Sequence, residues 1–236
     1  RLPVIQKIQS CFVYNSAPKV STFQCSNRIF NEAHRLIEKA VRSNMQSVFT
    51  DCPHREKLGW LEQDHLCGPG LLYNYDLTGF LPQTLQNIAD AQHANGAVPT
   101  TAPEYVVFEG PGMDAFAESP EWGCTFVVLP FMYYETYGDD SLIRKYYNGM
   151  RRYIDYMTTR ANDGIVSFGL GDWYDYGDFR AGFSRNTPVP LVATAHYYMV
   201  VRYLVEAARM LDNRYDVAYY THLGEEINKA FHREFY

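Results

Sequence analysis

Clusters of lysine and arginine are missing from this chain of 236 residues, where 21 basic side chains face 27 acidic ones for a formal net charge of -6. Nucleic-acid binding draws on grouped cations that neutralise phosphates, so that class of partner is excluded. No run of eighteen apolar residues occurs, which removes a membrane-spanning helix. The cysteines (Cys11, Cys25, Cys52, Cys67 and Cys124) are odd in number and far apart, with no C-x-x-C pair, so neither a disulfide framework nor a zinc site is indicated. His54, His65 and His93 lack H-E-x-x-H spacing, no G-x-S-x-G elbow exists, and Gly68-Pro-Gly70 is not set in a phosphate loop. No cofactor or metal is called for. Strict internal repeats and low-complexity tracts are also absent.

What is present is apolar and aromatic. A hydrophobic content of 47% supports one large domain with a proper core. Aromatic residues make up 16%, with 20 tyrosines, which suits either tyrosine-rich helix packing or a surface that stacks on sugars. Residues 1–25 read as the end of a preceding β-rich region and a linker, with short β-type runs at Cys11–Tyr14 and Val20–Phe23 around Ala17-Pro18. The chain opens on Arg1 in the manner of a mid-protein segment, which leaves the compartment open, an extracellular or periplasmic one being favoured.

From Ser26, a plausible N-cap, apolar residues recur at helical steps (Ile29, Phe30, Ala33, Leu36, Ile37, Ala40, Val41) as far as about Met45. Further helices are predicted over 61–73, 77–92, 120–137 with a kink at Pro130, 143–157, 192–211 and 215–235. Short connections on one side alternate with long, aromatic, acidic ones on the other. Paired antiparallel helices joined in this way build an α/α toroid, in which the long loops gather at one mouth. The expected fold is therefore all-α, an incomplete (α/α)6 barrel over 26–236 with a short N-terminal β-type segment.

The loops carry the chemistry. Residues 50–64 crowd Asp51, Glu56, Glu62 and Asp64 around Arg55, Lys57 and Trp60, and Pro53 with Gly59 keeps the stretch out of a regular helix. Paired carboxylates beside an aromatic plane are what glycoside cleavage needs: a proton donor, a second carboxylate, and a flat face to pack on a pyranose. All three tryptophans (Trp60, Trp122, Trp173) stand in loops beside an acid, and Gly171–Gly177 presents Asp172, Trp173 and Asp175 between glycines. That last segment also fits an ordinary turn in which an aspartate caps the backbone.

The stretch Asp51-Cys-Pro-His-Arg-Glu-Lys-Leu-Gly-Trp60 closely resembles the signature of α-L-rhamnosidases of glycoside hydrolase family 78. Phe23-Gln-Cys-Ser-Asn27, Trp122-Gly123, Tyr137-Gly138-Asp139 and Gly171-Asp172-Trp173 follow in the family's order. The resemblance implies an (α/α)6 barrel that removes terminal α-L-rhamnose with inversion and binds a carbohydrate as its partner; it leaves the oligomeric state open. By position it implies Glu56 as general acid and Asp51 beside it in the catalytic set, with Asp51 and Arg55 holding sugar hydroxyls. Trp60, Trp122, Asp172 and Trp173 would line the pocket, with Asp175 alongside. Where the family commonly has Gly-Asp after the tryptophan, this chain has Glu62-Gln63 and then Asp64, so either Glu62 or Asp64 replaces that acid or the carboxylate is missing and the substrate preference differs. The general base is expected on a later barrel loop, outside this chain. Two other readings compete: another six-hairpin glycosidase, and a non-catalytic sugar-binding helical domain.

Overall fold

A computed structural model describes residues 3–236. Helix α1 (Arg28–Asn44) starts where Asn27 accepts a hydrogen bond from the Ile29 amide at 2.9 Å, so the cap falls one residue after Ser26. The β-type runs at Cys11–Tyr14 and Val20–Phe23 do not become strands; among the described residues before α1 the chain makes only an isolated bridge, Lys19 to Tyr75. A strand needs a partner along its length to take its backbone bonds, and here Val20 N–H donates to the Asn74 carbonyl at 2.9 Å without a ladder following it.

The single helix expected over 61–73 is two, α2 (Glu62–Leu66) and α3 (Gly68–Asn74), with Pro69 in the first turn of the second. Proline is tolerated there because its missing N–H would have no helical partner. Helix α4 (Phe80–Ala91) buries Leu81, Leu85 and Ile88. A short α5 (Asp114–Ala117) lies in the long connection between the helices expected over 77–92 and 120–137.

The next expected helix is also divided, at Cys124 rather than at Pro130, into α6 (Pro120–Gly123) and α7 (Thr125–Tyr137). Helix α7 runs on through Pro130. Burial of Phe126, Val127, Leu129 and Phe131, about 1.5–3 kcal/mol for each full burial, exceeds the roughly 3 kcal/mol that an interior proline costs. Gly138, at φ 70°, ends α7 in the left-handed region.

Helices α8 (Ser141–Arg160), α9 (Val189–Met210) and α10 (Arg214–Phe235) complete the helical set, and each packs on its predecessor: α8 on α7, α9 on α8, α10 on α9. Their tyrosines follow the packing reading of the composition. Tyr147 and Tyr220 are buried, with hydroxyls donating to Asp216 at 2.6 Å and Asp155 at 2.7 Å. Between α8 and α9 a small antiparallel hairpin forms, β1 (Asp175–Gly177) and β2 (Phe179–Gly182), where only a loop was expected. No helix of the described residues is long and apolar enough to cross a membrane.

Candidate active site

The loop after α1 is tied down at both ends. Asp51 N–H donates to the Leu58 carbonyl at 3.2 Å, Leu61 N–H to the Thr100 carbonyl at 2.9 Å, and Ala102 N–H to the Gly59 carbonyl at 3.1 Å. Only glycine fits at 59, since a Cβ there would stand 2.9 Å from the Ala102 carbonyl oxygen. Lys57 turns the chain at φ 59°. Between these anchors Asp51 to Glu56 form a mostly exposed turn from which Glu56 reaches Trp60.

Glu56 is the centre of that turn. Its Oε2 accepts from Trp60 Nε1 at 3.0 Å and its Oε1 from the Arg55 guanidinium at 3.3 Å, while Arg55 lies 3.6 Å from Asp51 Oδ2. The Cys52 thiol donates to Glu56 Oε1 at 3.8 Å. Asp51, Cys52 and Glu56 each offer one atom within 4.8 Å of the other two. Asp51 is raised from the usual carboxylate range, first by burial and then by its hydrogen bond and repulsion with Glu56. Glu56 is lowered: burial pushes it up, but the hydrogen bonds from Trp60 and Asp51 and the charge of Arg55 outweigh that. The two carboxyls thus titrate together, with Asp51 pushed up and Glu56 pulled down from their ordinary values.

One pocket gathers most of the predicted residues: Asp51, Arg55, Glu56, Trp60, Glu62, Trp122 and Trp173 line it together with Gln63, Phe116, Leu170 and Tyr174. Asp64, Asp172 and Asp175 do not. The Asp64 carboxyl is buried on α2 with Oδ1 unpartnered, and burial with the nearby Glu62 holds it well above its ordinary value. Asp172 is exposed. Asp175 is buried and accepts from the Arg185 and Asn186 amides, both at 2.7 Å, which lowers its pKa; it ties the hairpin to the chain behind it, the capping reading of Gly171–Gly177.

Sequence reasoning missed Phe116, which joins three walls of the pocket. Its ring lies 6.4 Å from Trp60 and 5.3 Å from Trp173, edge-on to both, and Trp60 stacks on Phe108 at 5.3 Å. Nothing in the Gly/Pro-rich stretch around Phe116 marks it, because Trp60 and Trp173 come from loops more than fifty residues away, one in each direction. Trp122 meets Trp60 edge-on at 6.4 Å and is buried, with its indole N–H unpartnered.

Two further carboxyls flank the tryptophans. Glu62, in the first turn of α2, is pushed up to about 7 by burial. Glu121, on α6, is likewise raised to about 7 by burial, although Ser119 Oγ donates to its Oε2. His65 is lowered to about 4 by burial and is neutral; Thr125 Oγ1 lies 2.6 Å from its Nδ1 and donates to the Leu61 carbonyl at 2.9 Å, which fixes α2 against α7.

The family described as bacterial alpha-L-rhamnosidase 6 hairpin glycosidase domain matches residues 18–236. By sequence the chain is similar to an alpha-L-rhamnosidase of Formosa agariphila, 27% identical over 243 residues that cover 99% of this chain and 25% of that protein. By structure it is similar to the α-L-rhamnosidase from Dictyoglumus thermophilum, with a TM-score of 0.84 and 29% identity over 94% of this chain and 24% of that one. It is also similar to the Streptomyces avermitilis α-L-rhamnosidase complexed with L-rhamnose, with a TM-score of 0.79 and 28% identity over 92% of this chain and 20% of that one. The chain spans about a quarter of the length of these relatives.

Proposed function

Because this chain belongs to the family of bacterial α-L-rhamnosidase six-hairpin glycosidase domains, we propose that the protein containing it hydrolyses terminal α-L-rhamnosides with inversion, and that Glu56 donates the proton. Its helical hairpins are those of the family's α/α barrel. The observation that carries the assignment of Glu56 is its place in the pocket: it is held by Trp60 and Arg55, lies within 4.8 Å of Asp51, and shares the pocket with Trp122 and Trp173.

The chemistry follows from that setting. A sugar seated against the tryptophans packs its C–H face on an aromatic plane and displaces water from Glu56. Loss of that water favours the neutral carboxyl, so Glu56 takes up a proton as the sugar is seated. Glu56 then protonates the glycosidic oxygen as the bond to the anomeric carbon breaks, while Asp51 and Arg55 hold sugar hydroxyls. Inversion needs a second carboxylate about 6.5–9.5 Å from the acid to activate water, and on this reading a later loop of the barrel supplies it.

In the complete enzyme, Glu56→Gln keeps the Trp60 contact but carries no transferable proton. It should lower kcat on a phenyl α-L-rhamnoside about 100-fold or more while KM changes little. The loss should shrink on a dinitrophenyl rhamnoside, whose leaving group needs little protonation. An undiminished rate on the phenyl substrate refutes the role of Glu56, and a parent enzyme that turns over neither substrate refutes the rhamnosidase reading.

A further inference from the structure

Phe108 and Phe116, two rings packed on Trp60, stand on the connection between α4 and α6, a stretch with little structure of its own. Helix α5 within it has four residues, too few to be stable alone, and Tyr105, Val106 and Val107 just before Phe108 are exposed. The positions of the two rings therefore depend on what the connection is fastened to. Thr100 fastens α5 on one side: its Oγ1 donates to the Phe116 carbonyl and its N–H to the Ala117 carbonyl at 3.2 Å, while its own carbonyl accepts from Leu61 beside Trp60.

Glu118, the residue that ends α5, fastens the other side to α8. Its Oε2 accepts from the Tyr156 hydroxyl and from Arg160 Nη1 at 3.1 Å. Its Oε1 lies 3.9 Å from His93 Nδ1, and His93 Nε2 lies 3.0 Å from Glu104 Oε2, so one imidazole joins the carboxyls at the two ends of the loop of residues 105–117. The His93 carbonyl accepts from Arg152 Nη2, also of α8, at 2.7 Å. That helix is a firm anchor, since Tyr153, Ile154 and Met157 are buried on the turns that present Tyr156 and Arg160. The Glu104 and Glu118 side chains are 21% and 22% exposed, so water and salt screen these contacts less than they would a pair on the open surface.

None of His93, Glu104, Glu118 and Arg160 lines the pocket. They reach it through rings. Two residues before Glu118, Phe116 lies 6.4 Å from Trp60 and 5.3 Å from Trp173, and the Trp60 indole N–H donates to Glu56 Oε2 at 3.0 Å. We propose that Glu118 is a positioning residue: the clasp it forms with His93, Glu104 and Arg160 closes the loop of residues 105–117 on α8, seats Phe116 against Trp60, and so fixes the indole that orients Glu56. The kinetic consequence rests on the reading of Glu56 as the proton donor of a rhamnosidase, whereas the closing of the loop needs no substrate.

The test compares Glu118→Ala, Phe116→Ala and their double variant with the parent, all in the complete enzyme. Without ligand, amide exchange over residues 105–117 should be about ten-fold faster in Glu118→Ala, with α8 unchanged. On a phenyl α-L-rhamnoside kcat should fall about ten-fold in Glu118→Ala, but only about three-fold on a dinitrophenyl rhamnoside, whose leaving group asks less of Glu56. Added to Phe116→Ala, the same change should lower the rate by less than about two-fold, because the ring through which Glu118 acts is already gone. Glu118→Gln keeps an acceptor for Tyr156 and gives up only the charge, so it guards against a failure of the alanine variant to fold; its effect on exchange and on the phenyl substrate should be about three-fold in place of ten-fold.

Exchange over residues 105–117 that stays at the parent's rate in both Glu118 variants overturns the clasp, whatever the pocket binds. Equal losses on the two substrates, or losses that multiply in full in the double variant, overturn the positioning role and leave Glu118 as a residue that only stabilises the fold. A parent that turns over neither rhamnoside sinks the rhamnosidase reading instead, and the exchange measurement still decides the clasp.

Discussion

Glu121 shows what a single buried carboxyl does in this domain. Its Oε2 accepts from Ser119 Oγ, which in turn accepts from the Leu170 amide at 2.8 Å, while Oε1 is buried without a partner. Gly169, at φ 116°, lets the loop approach: a Cβ there would stand 2.8 Å from Ser119 Oγ and 2.9 Å from Glu121 Oε2. The residue therefore latches α6 to the loop that carries Trp173. It does so at a cost in stability, because burial raises its folded pKa to about 7 from an ordinary 4.5. Below pH 4.5 the group is protonated in both states and the cost vanishes; from there to about 7 the unfolded chain gives up its proton first, and stability falls. Glu121→Gln removes that linkage, so it should be more stable than the parent by about 1–3 kcal/mol at pH 8 and by nothing near pH 4.5. Urea denaturation at the two pH values checks both the size and the sign. Neither the cost nor the latch is legible at Glu121 in the sequence, which shows only an acid beside a tryptophan.

The hairpin β1–β2 makes the corresponding point for an element. Seven residues form a sheet of two short strands, which has little stability of its own in water. Asp175 holds it by accepting the Arg185 and Asn186 amides, while Trp173 packs edge-on against Phe116 at 5.3 Å and Phe183 at 5.4 Å. Asp175→Ala deletes the acceptor that ties the hairpin to residues 185 and 186. The hairpin should loosen and carry Trp173 and Tyr174 out of register with the pocket. The expected result in the complete enzyme is a KM for an aryl rhamnoside raised about ten-fold with kcat changed less, since Glu56, the proposed proton donor, stands on a different loop. Faster amide exchange over residues 173–186, with no change in α8 or α9, would place the effect in this element. A role for Asp175 in sugar contact would instead leave exchange as it was.

Across the whole molecule, several carboxyls are held above their ordinary range and several below it, and the two groups act in different pH windows. Asp140, Asp76 and Asp175 are lowered, the first by its hydrogen bond to Arg144 and the other two by backbone amides. Their stabilisation is present above about pH 4 and is lost in acid. Glu62, Glu121 and Asp64 are raised by burial, so their cost grows between about pH 4 and 7. The domain should accordingly be most stable near pH 5 and lose several degrees of Tm by pH 8. Substituting Glu62 and Glu121 together by glutamine should remove most of that alkaline loss. A Tm that climbs steadily from pH 5 to 8 would contradict the placement of these acids.

What the sequence determined by itself is what depends on near neighbours. The 3.6-residue recurrence of apolar side chains located α4, α8, α9 and α10, since a helix brings residues three and four apart onto one face whatever surrounds it. The crowd at Asp51–Trp60 already set Glu56 beside Asp51 and the Trp60 ring, because Glu56 meets both within a single turn of chain. What only the tertiary structure decided is what depends on distant parts. Phe116 joined the pocket, Asp64 and Asp175 left it, and the helix expected over 120–137 broke at Cys124 rather than at Pro130. Desolvation is likewise invisible in a string of residues. Glu56, Glu62 and Glu121 are the same amino acid, and only the protein packed around each one holds the first below its ordinary pKa and lifts the other two to about 7.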